Sequence, residues 1–107
     1  RAVNRWSQQE VEMWYWLEAT AKAHATPAVV AAKRHQWITQ GKDQALAKRC
    51  RSAQRYVVEG SLPPKVLWLL DTDAKDAAAL ITDHFGDLWD IEVLSVTPQA
   101  VTQAAER

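Results

Sequence analysis

Two runs of charge hold the side chains most able to do chemistry. Between Lys33 and Arg55 lie seven basic residues against a single acid, Asp43, and between Asp71 and Glu92 lie seven acids against a single base, Lys75. Asp71 and Asp73 follow the apolar run Lys65-Val-Leu-Trp-Leu-Leu70. Carboxylates at the carboxyl end of a buried strand stand where open α/β sheets place their sites, and two of them spaced by one residue can hold magnesium, a hard cation that prefers oxygen ligands. The same residues, with Asp76, also suit the first turn of a helix, where they cap amides and complement the positive end of the dipole; capping is the reading preferred for them. In the basic run, Lys48, Arg51 and Arg55 recur at three- and four-residue spacing, with Lys42 and Arg49 nearby. On one helix face such residues can meet successive phosphates of a nucleic acid. Their other use is a solvated face, or one paired internally with the acidic run.

The Asp71-Thr-Asp73 strand end resembles the metal-binding DxD of the topoisomerase-primase (Toprim) fold. That resemblance implies a magnesium site at Asp71 and Asp73, and it also implies an upstream strand ending in a catalytic Glu, for which Glu59 before Gly60 is the one candidate. A restriction-type nuclease core would need an acid followed two positions later by Lys, and Glu92-Val-Leu94 lacks it.

Other catalytic chemistry finds little footing. His84 sits among apolar residues with no second His or Cys at ligand spacing, which suits a hydrogen-bonded core histidine. His24 and His35 are isolated from any nucleophile motif. Cys50 falls on an apolar stripe, so it reads as a small core residue. Only Gly41, Gly60 and Gly86 are present, and they form no phosphate-cradling loop. No cofactor is expected, and catalysis by this chain alone is not expected either.

Six tryptophans are many for 107 residues. Trp14, Trp37, Trp68 and Trp89 fit core positions, which leaves Trp6 and Trp16 surplus. Trp16, with Tyr15 on its flank, is a candidate interface anchor.

The elements that would position these groups begin with Ser7-Gln-Gln-Glu10, which fits a capping box, and a helix from about Gln8 to His24 with Val11, Trp14, Leu17 and Ala21 on its inner stripe. Thr26-Pro27 opens a second helix, and Gly41 ends it. A third, from about Asp43, carries Leu46, Cys50, Ala53 and Val57 on one stripe and Lys48, Arg51 and Arg55 opposite; Tyr56 to Glu59 can instead start a strand. Gly60-Ser-Leu-Pro-Pro64 breaks the chain. Lys65–Leu70 and Ile91–Val96 are strands, and the helix between them turns Ala77, Ile81, His84 and Phe85 inward. A right-handed crossover would make the two strands parallel neighbours, and Thr97-Pro98 would open a final helix through about Ala105.

The expectation is therefore a small α+β domain spanning 1–107: three helices over 1–60, then a right-handed β-α-β unit with two parallel strands and a terminal helix over 61–107. The length suits one core, and 48% apolar with 24% charged residues is ordinary for a globular chain. A single cysteine allows no internal disulfide, so an intracellular, cytoplasmic setting is expected. No run reaches the roughly 18–20 apolar residues needed to span a bilayer, and Glu10, Glu12 and Glu18 argue against a signal peptide. A start at Arg1 reads as a domain excised from a longer protein. The leading functional expectation is a non-catalytic accessory domain of a bacterial-type nucleic-acid-processing protein, contacting DNA or RNA through Lys42, Lys48, Arg49, Arg51 and Arg55. The alternative is an interaction or self-association domain using Trp16, Tyr15 and a sheet edge. A metal-dependent phosphoryl-transfer fragment at Asp71 and Asp73 comes third.

Overall fold

The computed structural model describes residues 13–99. The expected capping box at Ser7 to Glu10 and most of the expected final helix lie outside them; Thr97 to Gln99 are described and are not helical. The elements in order are β1 (Trp14–Ala21), α1 (Pro27–Thr39), α2 (Lys42–Arg49), β2 (Ser52–Val57), β3 (Lys65–Asp71), α3 (Asp76–Phe85) and β4 (Trp89–Val96). They form one four-stranded sheet in the order β2-β3-β1-β4, with every neighbouring pair antiparallel. A split arrangement of this kind, with helices between β1 and β2 and between β3 and β4, is ferredoxin-like.

This corrects the expectation of three N-terminal helices followed by two paired parallel strands. Residues 14–21 alternate with period two: Tyr15, Leu17, Ala19 and Ala21 are buried, and Trp14, Trp16, Glu18 and Thr20 between them are half-buried. Aromatic residues suit a pleated surface. Trp14, Leu17 and Ala21 also satisfy a helical stripe, and that stripe leaves Trp16 stranded, whereas the alternation accounts for every residue. The resulting strand is central. It pairs with β3 in the register Leu17↔Trp68 and with β4 in the register Leu17↔Val93, so β3 and β4 are separated by it and do not pair. The third expected helix is also shorter, since α2 ends at Arg49 and the chain turns at Cys50 into β2 on the sheet edge.

Local signals explain the remaining boundaries. The Thr26 hydroxyl accepts the Val29 amide at 3.3 Å, and Pro27 follows at the first helical position. Gly41 has φ of 73°, the left-handed conformation that closes α1 and turns the chain straight into α2. Among the described residues no helix is long and apolar enough to cross a membrane.

One sheet face meets the helices. Leu17, Leu70 and Ile81 are fully buried, with Ala19, Val66, Ala77, Ala78, Phe85 and Trp89 around them. Coverage is uneven: α3 buries five residues, α2 one and α1 none. Thus α1 lies over the sheet without being pressed into it, and a recess opens beneath it.

Candidate ligand cavity

That recess is a cavity of about 230 Å³ between α1 and the sheet. From α1 it takes Val30, Arg34, Trp37 and Ile38, residues at helical spacing on one face. From the sheet it takes Arg55, Val66, Trp68 and Trp89, all on the helix-facing side; Arg55 stands in register with Trp68. Asp43 of α2 and Phe85 of α3 complete the wall.

The aromatic wall is fixed by ring contacts. Phe85 lies 5.2 Å from Trp37 and 6.0 Å from Trp68, centroid to centroid, and His84 meets Phe85 edge-on at 4.7 Å. His84 is held in turn. Its Nε2 donates to the Lys33 carbonyl at 2.8 Å, which leaves Nδ1 to accept from the Lys42 ammonium at 3.0 Å. A buried imidazole satisfied at both nitrogens acts here as a strut tying α1, α2 and α3 together.

Polar groups in the cavity are less well satisfied. Partial desolvation lowers the pKa of the Arg55 guanidinium, although the residue as a whole is exposed, and the charge of Arg34 adds to that effect. Oδ1 of Asp43 is buried with no hydrogen-bond partner among the described residues. Buried acceptors are nearly always paired, so this atom requires an explanation.

The sequence-predicted acidic and basic residues fall in a different place. Asp71 and Asp73 are gripped by Arg51, whose Nε lies 2.9 Å from Asp71 Oδ1 and whose Nη1 and Nη2 lie 3.3 and 3.2 Å from the two Asp73 oxygens. This holds the Asp73 carboxyl below its usual range, through the hydrogen bonds first and charge second. A guanidinium therefore stands where a metal ion would have to bind, and no cluster of His, Cys, Asp or Glu suited to a metal occurs among the described residues. Thr72, between the two acids, accepts the Ala74 amide at 3.0 Å and starts the turn into α3.

The basic helix face is corrected as well. Lys48 and Arg49 are on α2, Arg51 lies beyond its end and Arg55 is in β2, so they share no helix face. Arg49 pairs with Asp76 at 3.1 Å, Arg51 with Asp71 and Asp73, Lys42 with His84, and Arg55 turns toward the cavity. Only Lys48 of the five keeps a simple outward place. Of the two expected interface residues, Trp16 is on the sheet face away from the helices, where its Nε1 donates to Glu18 at 3.0 Å, whereas Tyr15 is in the core at 7% exposure. Sequence reasoning missed Arg34, Asp43 and the cavity role of Arg55. The available signal for Arg55 was its place in Ala53-Gln-Arg-Tyr-Val57, where a two-residue period puts it on the helix side.

No family model matches the chain, and no curated protein matches it either. Solved structures share its fold. A protein of Agrobacterium tumefaciens superposes with a TM-score of 0.55 at 12% identity, over 85% of this chain and 97% of that one. An antibiotic biosynthesis monooxygenase superposes at 0.53 and 10% identity, over 82% and 99%. A protein of Arabidopsis thaliana does so at 0.51 and 14%, over 84% and 98%. The split antiparallel sheet is thus a known architecture that accounts for nearly the whole length of those chains. An accessory nucleic-acid-binding domain is overturned by this fold, and Lys42, Arg49 and Arg51 of the expected basic face are paired internally.

Proposed function

We propose that the chain binds a small, largely apolar molecule in the cavity beneath α1. The carrying observation is an aromatic-walled groove beneath α1, open to solvent at Arg34, Ile38 and Arg55. Protein interiors pack as densely as organic crystals, and ligand sites are characteristically apolar recesses with a few polar groups, which describes Trp37, Trp68, Phe85 and Trp89 with Arg34, Arg55 and Asp43. Size supports a compact ligand: a dry cavity of about 150 Å³ accepts benzene, so about 230 Å³ suits one substituted ring system. Titration with a panel of small aromatic compounds, followed by tryptophan fluorescence, tests this. Binding should be lost when Val30→Trp fills the space; no response from the panel, or an unchanged response in the filled variant, overturns the reading.

Asp43 favours an enzymatic form of the same reading. A carboxylate in the lining is a group able to take a proton from a ligand once its side chain turns toward it, and one fold neighbour is a monooxygenase. Oxygen consumption with each ligand that binds, compared between the protein and Asp43→Asn, is the measurement. Consumption that disappears in the variant supports catalysis; none in either leaves a binding protein.

The opposite sheet face supports an assembly proposal. Trp14, Trp16, Leu67 and Leu69 are half-buried there, and Tyr56 and Leu94 are 45% and 41% exposed. An apolar sheet face of this kind marks an association surface, and its central row, Leu69, Trp16 and Leu94, can lie against the same row of a second copy. Sedimentation velocity should show a dimer that Leu94→Glu converts to monomer. A monomer at all concentrations rules the assembly out.

A further inference from the structure

Four arginines lie in the described part of the chain, and they divide into two kinds. Arg49 is neutralised by Asp76, and Arg51 by Asp71 and Asp73. Arg34 and Arg55 have no carboxylate within ion-pair distance among the described residues, and both line the cavity. Both residues are exposed, so they stand at the open rim of the recess. Arg34 occupies the stripe of α1 that otherwise presents Val30, Trp37 and Ile38, and Arg55 occupies the helix-facing side of β2 between Ala53 and Val57. Two guanidiniums brought from residues 21 positions apart in sequence to one aromatic recess set two positive charges against the single carboxylate of Asp43, which leaves a place for an anion. The guanidinium fork matches a carboxylate, which it binds through two parallel hydrogen bonds.

Asp43 refines the class of anion. Its charge leaves the lining with an excess of one positive charge over the three groups, which suits a monoanion. Asp43 lines the recess, and its carboxylate can accept a hydrogen bond from a hydroxyl or N–H on the ligand. The aromatic walls select a flat body between the charged end and that donor.

Resting on the reading of the cavity as a binding site, we infer that its ligand is a small aromatic carboxylic acid bound as the anion. Arg34 and Arg55 clasp the carboxylate, the ring lies against Trp68 and Phe85, and Asp43 accepts from a ring hydroxyl or N–H.

The test uses 4-hydroxybenzoate, benzoate and the neutral isosteres 4-hydroxybenzamide and benzamide, titrated by calorimetry into the full chain. The acids should bind at least about tenfold more tightly than their amides, because a charge-assisted pair is worth that much. Arg34→Gln and Arg55→Gln should each remove that preference while leaving the amides bound, Arg55→Lys should keep part of it, and Asp43→Asn should abolish the advantage of 4-hydroxybenzoate over benzoate. Amides and acids bound equally well would overturn the carboxylate clasp and leave the cavity reading standing. No binding of any of the four, together with no response from the wider aromatic panel, would overturn the cavity reading itself. The comparison of acid with amide needs only the unmodified protein, so a variant that fails to fold does not remove the test.

Discussion

Oδ1 of Asp71 receives two nitrogens of Arg51, Nε at 2.9 Å and Nη2 at 2.8 Å, and the Arg51 amide also donates to the Asp71 carbonyl at 2.7 Å. One residue just past α2 is thereby fastened to the end of β3 through both backbone and side chain, and this contact sets where the edge strand β2 begins. Asp71 is buried and Arg51 half-exposed, so removing the arginine leaves a desolvated carboxylate without a partner. Arg51→Ala should lower the melting temperature more than Arg49→Ala, whose pair with Asp76 is open to solvent on both sides. Equal effects in thermal denaturation would show that the clasp is only a surface pair.

Because the guanidinium already occupies both carboxylates, millimolar magnesium should leave the melting temperature unchanged. A rise that Asp73→Asn abolishes would show that a metal displaces Arg51.

Acid should weaken the fold. Hydrogen bonding from Arg51 holds the Asp73 carboxyl below its usual range, and hydrogen bonding from Lys33 does the same for Asp87. A carboxyl with a depressed native pKa contributes stability that is complete above the unfolded value, near 4, and is lost as pH falls through the lower native value. Stability should therefore be level from neutral pH to about 5 and decline below about 4. Both acids are solvent-exposed, so salt should blunt the decline. Urea denaturation of the protein and of Asp73→Asn across this range is the check, with a shallower acid limb expected in the variant.

Helix α3 carries the core and α1 does not. Ile81→Ala should cost about 2–5 kcal/mol, the range for emptying a fully buried aliphatic site, whereas Val29→Ala on α1, at 43% exposure, should stay within about 0.5 kcal/mol. Chemical denaturation of the two variants measures the difference, and a large loss at Val29 would mean that α1 is packed more firmly than the cavity requires.

Burial pushes the Cys50 thiol up, with the nearby Asp71 charge acting in the same direction against a hydrogen bond from Thr72. Near neutral pH the native thiol should react with iodoacetamide more slowly than the thiol of the unfolded chain, since the thiolate is the nucleophile. Alkylation followed by mass spectrometry, in buffer and in denaturant, should give that order.

Several elements were legible in the residues alone. Thr26-Pro27 and Gly41 bound α1 because a hydroxyl cap, a ring with no amide to lose and a left-handed glycine are local devices, complete within a few residues. Lys65–Leu70 reads as a strand from its unbroken apolar run, and Ala77, Ile81, His84 and Phe85 recur at helical spacing on α3. Pairing was not legible. Trp14, Leu17 and Ala21 satisfy both a helix and a strand, and the choice was made by strand partners 45 or more positions away, Lys65 to Asp71 on one side and Trp89 to Val96 on the other. The same holds for the charges. Lys48, Arg51 and Arg55 share a face only if one helix runs through them, and the turn at Cys50 sends Arg51 to Asp71 and Arg55 to the cavity. Local chemistry is written in neighbouring residues, but which guanidinium is neutralised and which is left facing Trp68 and Arg34 depends on contacts that exist only after the sheet has closed.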